Sequence, residues 1–188
     1  MMNQYFLKEI PILKENWSKI EHLFIPKEIS AKTVLLSEGE IASHIYFIDS
    51  GALRLWNNDD GRDITVQFFF ENQIVASFES WYQKKPSIFT IESIENTTVI
   101  ALSSDSFNQI IKQFPEINMY LTKLISERFV SYTNYFLTRI KDSPEKRYQD
   151  LVDNEPEIVE RVPQHYIASY LGITPVSLSR IRNRIKLT

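Results

Sequence analysis

An α+β fold is predicted for this chain: an antiparallel, jelly-roll-like β-roll through residues 1–114, a long helix over 115–140, and a helix-turn-helix within 141–188. Three observations carry this reading. Short β-branched and aromatic runs, punctuated by Gly39, Gly51 and Gly61, fill residues 30–105, the pattern of a sandwich or barrel-like roll. Helical periodicity replaces them near Asp105. From Gln164 the apolar and small residues fall at the spacing of two helices joined by a tight turn.

The elements follow in order. The N-terminal "QYFLKEIPILKENWSKIEHLF" reads as one or two short amphipathic helices. "KTVLLSEGE" is a short apolar run into a turn, and "SHIYFIDSG" is a strand that stops at Gly51. In "ALRLWNNDDGRDITVQFFF" two alternating runs flank Asp60-Gly61, a strong tight-turn signal, so the segment is a hairpin. "SIFTIESIENTTVIALS" gives two more strands joined around Asn96. Ser104 is the expected N-cap of the next helix, and Pro115 starts a fresh one or kinks it.

From Pro115 the apolar positions are Ile117, Leu121, Leu124, Ile125, Phe129, Tyr132, Phe136 and Ile140. A helix of that length spans about 38 Å at 1.5 Å per residue. Its stripe suits either its own domain's core or a second copy of itself, and the two uses are compatible on different faces. Beyond it, a helix is expected near Pro144, a loop around Asn154–Pro156, and a short segment leading to the final motif.

That motif is the most specific signal. Counting Gln164 as the first position, Ile167, Ala168, Leu171, Gly172, Ile173, Leu178 and Ile181 occupy the seven places a helix-turn-helix constrains. A small residue lets the helices approach, glycine allows the left-handed turn, and the apolar residues fill the wedge. Thr174 is the expected cap of the second helix, with Pro175 in its first turn. Its outward face carries Pro175, Val176, Ser179, Arg180 and Asn183, flanked by Ser177 and Arg184. Arg180 can bond guanine bidentately, whereas Thr174, Ser177 and the helix amides suit phosphate. Arg182, Arg184 and Lys186 are phosphate contacts or solvated charges.

Charge supports a nucleic-acid end. The chain holds 21 Lys+Arg against 24 Asp+Glu, yet residues 161–188 carry five bases and no acid. A basic working end on an acidic body is the implied arrangement. Other classes are disfavoured. The absence of cysteine rules out disulfides and thiolate metal or cluster sites. His22, His44 and His165 lack ligand spacing, so no metal is expected. No phosphate-cradling glycine loop or nucleophile–base set argues for an enzyme. Without a signal peptide pattern or an apolar run of about 20 residues, the chain is expected to be cytoplasmic, with no membrane partner.

β-roll, long helix and helix-turn-helix, in that order, resemble the CRP/FNR family of bacterial transcription regulators. Within "SEGEIASHIYFIDSGALRLW", Glu38-Gly39-Glu40 and the Tyr46-x-Ile48-x-x-Gly51 run are similar to the family's own pattern. The resemblance implies a cyclic-nucleotide-binding-like sensor (1–114), a dimerisation helix (115–140) and a winged-helix-type DNA-binding domain (141–188). It implies double-stranded DNA, a second copy of the chain and RNA polymerase as partners. Thr188 follows directly on the second helix, so a wing would need earlier residues.

The phosphate cassette of the cyclic-nucleotide-binding members departs here. Ala76-Ser77 stand at its Gly-Glu, and Ser87 at its arginine; Lys84 and Lys85 are poor substitutes for a fixed fork of donors. Cyclic AMP is therefore not the expected ligand, and no cofactor is predicted; a haem would have to use His44. A residual effector pocket would be lined by Ser77, Phe78, Glu79, Trp81, Ser87, Phe89 and Thr90, with Tyr132 and Thr133 from the long helix. The alternative reading is a β-roll sensor or protein-interaction module with weak DNA binding.

Overall fold

A computed structural model describes residues 4–185. It separates into two compact units, Met1–Leu55 with Phe68–Ile125, and Trp56–Gln67 with Ser126–Thr188.

The first unit holds the β-roll apart from Trp56–Gln67, the outer part of one hairpin, which groups with the second. Three short helices, α1 (Gln4–Glu9), α2 (Pro11–Glu15) and α3 (Trp17–Ile20), and one 3₁₀ turn (Glu21–Leu23) lead into β1 (Phe24–Ile29). There follow β2 (Val34–Leu36), β3 (His44–Ser50), β4 (Leu53–Asp59), β5 (Arg62–Phe69), β6 (Ile74–Val75), α4 (Phe78–Gln83), β7 (Thr90–Ser93) and β8 (Thr97–Ser103). They form two four-stranded sheets, ordered β1-β8-β3-β6 and β2-β7-β4-β5. Alternation along the strands divides two cores. Ile29, Tyr46, Ile48, Val99 and Ala101 join Leu36, Leu53, Leu55 and Ile91 between the sheets. Phe24, Phe47, Ile100 and Leu102 face the other way, against Phe6, Leu13, Ile20, Ile110 and Phe114.

The expected strands and the Asp60-Gly61 hairpin are present. β1 is an addition: its sequence "FIPKEI" carries a proline, which an edge strand tolerates because one row of its N–H groups has no ladder partner. Gly51 is required where β3 meets β4. Its φ is +92°, and a Cβ there would stand 2.6 Å from Thr97 Cα and 2.7 Å from the Asn96 carbonyl oxygen. Arg54 and Glu92, on neighbouring strands, form a buried ion pair with both Nε and Nη2 donating to Oε2, at 2.8 and 2.6 Å.

The cap of α5 (Ser104–Gln113) is Ser103, not Ser104: Ser103 has extended dihedrals and its Oγ accepts from the Ser106 N–H at 3.1 Å. The last residue of β8 thus starts the helix. Phe114 leaves helical geometry before Pro115, as a residue preceding proline tends to, and α6 (Ile117–Lys141) begins afresh. Ile117 is buried and Leu121 packs on the roll's outer core. Farther along, Ile125, Phe129, Val130, Phe136, Leu137 and Ile140 are exposed.

The second unit contains α7 (Pro144–Asn154), α8 (Pro156–Arg161), α9 (Gln164–Leu171) and α10 (Pro175–Ile185). Tyr148, Leu151, Ile158, Val162, Tyr166, Ile167, Ala168, Leu171, Leu178 and Ile181 are buried on or between them. Among the described residues no helix is long and apolar enough to cross a membrane.

Candidate functional site

The elbow between α9 and α10 is built as its sequence requires. Gly172 adopts φ 67°, ψ 34°, the left-handed conformation that favours glycine. Its N–H donates to the Ser169 carbonyl and the Ile173 N–H to that of Ala168, both at 2.9 Å, which satisfies the end of α9. Thr174 Oγ1 accepts from the Ser177 N–H at 3.1 Å and lies 2.9 Å from Ser177 Oγ, capping α10. Ile167, Ala168, Leu171, Leu178 and Ile181 are buried and Ile173 half-buried, so the predicted wedge is filled.

Once α10 spends Leu178 and Ile181 on that wedge, its other face is left to solvent. Thr174, Pro175, Val176, Ser179, Arg180, Asn183 and Arg184 are exposed, and Ser177 and Arg182 half-buried. Arg180 has no ion-pair partner among the described residues. Arg184 does: its Nη2 lies 3.1 Å from Glu145 Oε2. Lys186 lies outside the described residues. The arrangement offers an exposed helix face with the Arg180 guanidinium at its middle, hydroxyls at its N-terminus and no acid. That is chemistry for phosphates and base edges.

Side chains from α6 and the β4–β5 hairpin brace this elbow within the same unit. Tyr135 stacks on Tyr170 at 5.3 Å between ring centres, and its hydroxyl donates to the Tyr170 carbonyl. Burial raises both phenol pKa values, so both rings stay neutral. Arg139 lies over the Tyr135 ring, with Nη1 2.7 Å from where a Gly172 Cβ would stand. Ser169 Oγ accepts from the Thr65 N–H at 2.8 Å and donates to the Asp63 carbonyl. Tyr132 donates to Gln67 Oε1 at 2.6 Å, and Thr133 to the Phe129 carbonyl. Sequence reasoning missed this bracing. Its one visible trace was the aromatic richness of α6.

The cassette region lies in the β-roll. Ser77 and Ser87 are buried, 1% and 3% exposed, and their hydroxyl oxygens are 2.8 Å apart. Ser87 Oγ also donates to the Phe89 carbonyl at 2.7 Å and accepts from the Phe89 N–H. The Ser87 backbone is tied to Gly39 and Glu40. Buried Thr90 accepts from the Glu38 N–H, and Ser80 Oγ bridges the Ala42 N–H and the Lys85 carbonyl. Ser77 and Ser87 thus meet and bond each other. α4 follows Ser77, an unforeseen helix too short for periodicity to reveal. It exposes Phe78, Glu79 and Tyr82, while Trp81 packs edge-on to Phe107 with Lys84 above its ring. Lys84 Nζ donates to Ser104 Oγ at 3.2 Å. Phe89 packs on the inter-sheet core.

Comparison with known proteins gives concordant findings. Residues 26–114 match the cyclic nucleotide-binding domain family. No curated protein sequence matches the chain significantly. Among solved structures, a transcriptional regulator of the CRP/FNR family from Eubacterium rectale superposes with TM-score 0.75 at 19% identity, covering 96% of this chain and 88% of that one. The c-di-GMP-responsive global regulator CLP of Xanthomonas campestris gives 0.74 at 14% identity, covering 93% and 92%. FixK2 from Bradyrhizobium japonicum gives 0.73 at 16% identity, covering 87% and 85%. The resemblance read from Glu38-Gly39-Glu40 and Gly51 is borne out, and so is the predicted fold class.

Proposed function

We propose that this chain, which carries a cyclic nucleotide-binding domain on the CRP/FNR regulator fold, is a dimeric, sequence-specific DNA-binding transcriptional regulator that cyclic AMP does not control. It works in the cytoplasm, as a regulator rather than an enzyme, with duplex DNA, a second copy and RNA polymerase as partners. Residues 1–114 are the sensor, 115–140 the dimerisation helix and 141–188 the DNA-binding domain.

The observation that carries the reading is the exposed, acid-free face of α10 on a fully packed elbow. In the major groove, Arg180 bonds a guanine edge, and Val176 and Ser179 face neighbouring bases. Asn183 completes the reading face, Pro175 sets the helix entry, and Thr174, Ser177 and Arg184 hold phosphates. The bare stripe of α6 supports pairing with a second copy, the arrangement in which helix-turn-helix dimers read half-sites about 34–36 Å apart. The Ser77–Ser87 bond supports independence from cyclic AMP. Lacking the arginine removes a charge-assisted phosphate contact of about 1.5–3 kcal/mol.

The test is selection of bound DNA from a random pool, followed by titration of the selected site. Arg180→Ala is expected to relax one base position at a cost of about 1–3 kcal/mol. Arg184→Ala is expected to weaken all sequences alike. Identical site selection and affinity in both variants would refute the assignment.

A further inference from the structure

The β-roll has a cleft away from Ser77 and Ser87. It measures about 270 Å³ and is lined by His22, Leu23, Ile25, Lys27, His44, Ala101, Ser103 and Ser106. Strand parity places it. Ile25 and Lys27 share the face of Ile29, His44 that of Tyr46, and Ser103 that of Ala101, all three being inter-sheet core residues. Register confirms the grouping, because Ile25 is opposite Ala101 and His44 opposite Ser103. The cleft is therefore the place where the inter-sheet core runs out and polar side chains continue its inner face.

Its lining has one sign of charge. Lys27 supplies it, two imidazoles stand beside it, and no Asp or Glu lines the cleft, in a body that is otherwise acidic. The hydroxyls add donors. Ser103 Oγ donates to Ser106 Oγ at 2.9 Å and accepts from the Ser106 N–H, which leaves the Ser106 hydroxyl proton for another acceptor. His44 Nδ1 lies 2.9 Å from Ser43 Oγ, which leaves Nε2 for a ligand. We propose that this cleft binds a small anion, a phosphate- or carboxylate-bearing metabolite, through Lys27, His22, His44 and the Ser106 hydroxyl. At this volume the ligand is smaller than the drug-sized molecules that fill pockets of about 300–1,000 Å³.

Bound anion would also reverse the local electrostatics. Burial first, and Lys27 second, hold the His44 pKa below its ordinary value. The groups facing it are Lys27 from β1, His22 from the 3₁₀ turn and stacked Tyr46 on its own strand. An anion beside Lys27 offsets that cation and favours protonated His44, so binding takes up a proton and strengthens as pH falls.

The experiment follows the His22 and His44 ring resonances of the full chain by NMR during titration with inorganic phosphate and, separately, succinate. Saturation is expected to raise the His44 titration midpoint, and Lys27→Gln to weaken binding about tenfold, as loss of one charge-assisted contact does. His44→Gln should abolish the proton uptake. Because Lys27 is exposed, its variant keeps the wild-type thermal midpoint without anion. Response to phosphate alone assigns a phosphate ester, and response to succinate alone a carboxylate. Three results would overturn the proposal: no shift with either anion, unchanged affinity in Lys27→Gln, or response to an oligoglutamate peptide without response to either small anion, which would make the cleft a protein contact.

Discussion

Phe129 offers the most direct test of the dimer. The ring is 71% exposed on a 25-residue helix that also leaves Ile125, Phe136 and Ile140 bare. A phenylalanine has about 200 Å² to bury, so about 140 Å² of it remains in water in one copy. Covering that area is worth about 3.5 kcal/mol at 25 cal/mol per Å². Phe129→Ala keeps the β-carbon and loses about 2 kcal/mol of this in each protomer. Two symmetric rings then give about 4 kcal/mol, or roughly a thousandfold in the dimer dissociation constant. Alanine is the better helix former, so the isolated chain stays folded. Sedimentation velocity over a concentration series measures the effect. A wild type that stays monomeric at micromolar concentration, or a variant that dimerises as tightly, would show that this stripe is not the seam.

Calorimetry with cyclic AMP and cyclic GMP should give no binding heat, whereas micromolar affinity would refute the reading of the Ser77–Ser87 bond as a closed cassette. Gly51→Ala should lower stability by about 2 kcal/mol or more, read as a shifted urea midpoint, because it combines a positive φ with backbone contacts under 3 Å. Glu145→Gln removes the carboxylate 3.1 Å from Arg184 and should tighten DNA binding a few-fold at low salt, by easing the repulsion between that acid and the phosphates. Unchanged affinity in a low-salt titration would mean that Glu145 and Arg184 lie away from the backbone.

What the sequence disclosed depended on how local the cause was. The elbow was legible because each requirement sits on one residue: Gly172 supplies the turn, Ala168 the close approach, Leu178 and Ile181 the wedge. The hairpin was legible for the same reason, since Asp60 and Gly61 both take positive φ. β1 was hidden because its pairing with β8 is long-range and its pattern is exposed at four consecutive positions around Pro26. α4 was hidden because six residues cannot establish a helical period. In the cassette, missing residues could be counted, but what replaced them could not. That Ser77 and Ser87 bond each other is a fact of folding, ten positions apart in the chain. The cap of α5 slipped by one residue because Ser103 and Ser104 are chemically equal and only the exit geometry of β8 chooses between them.

The long helix presents two faces whose separation matters for the proposed dimer. At about 100° per residue, Ile125, Phe129, Phe136 and Ile140 fall within one narrow sector. Tyr132, Arg139 and Tyr135 fall to one side of it, about 50°, 70° and 110° from its centre. The first set is bare, and the second is engaged with Gln67, Tyr170 and the turn at Gly172. The same rod therefore carries the candidate seam and the brace of the elbow, with no residue shared between them. A second copy can cover the seam without displacing the brace. In such a pair each elbow would be fixed relative to its own half of the seam, so a change in how the two rods cross would pass directly into the spacing of the two reading helices. Substitutions on the brace should then act differently from those on the seam. Arg139→Ala should leave the dimer constant unchanged and weaken DNA binding, whereas Phe129→Ala should weaken DNA binding in a way that high protein concentration restores.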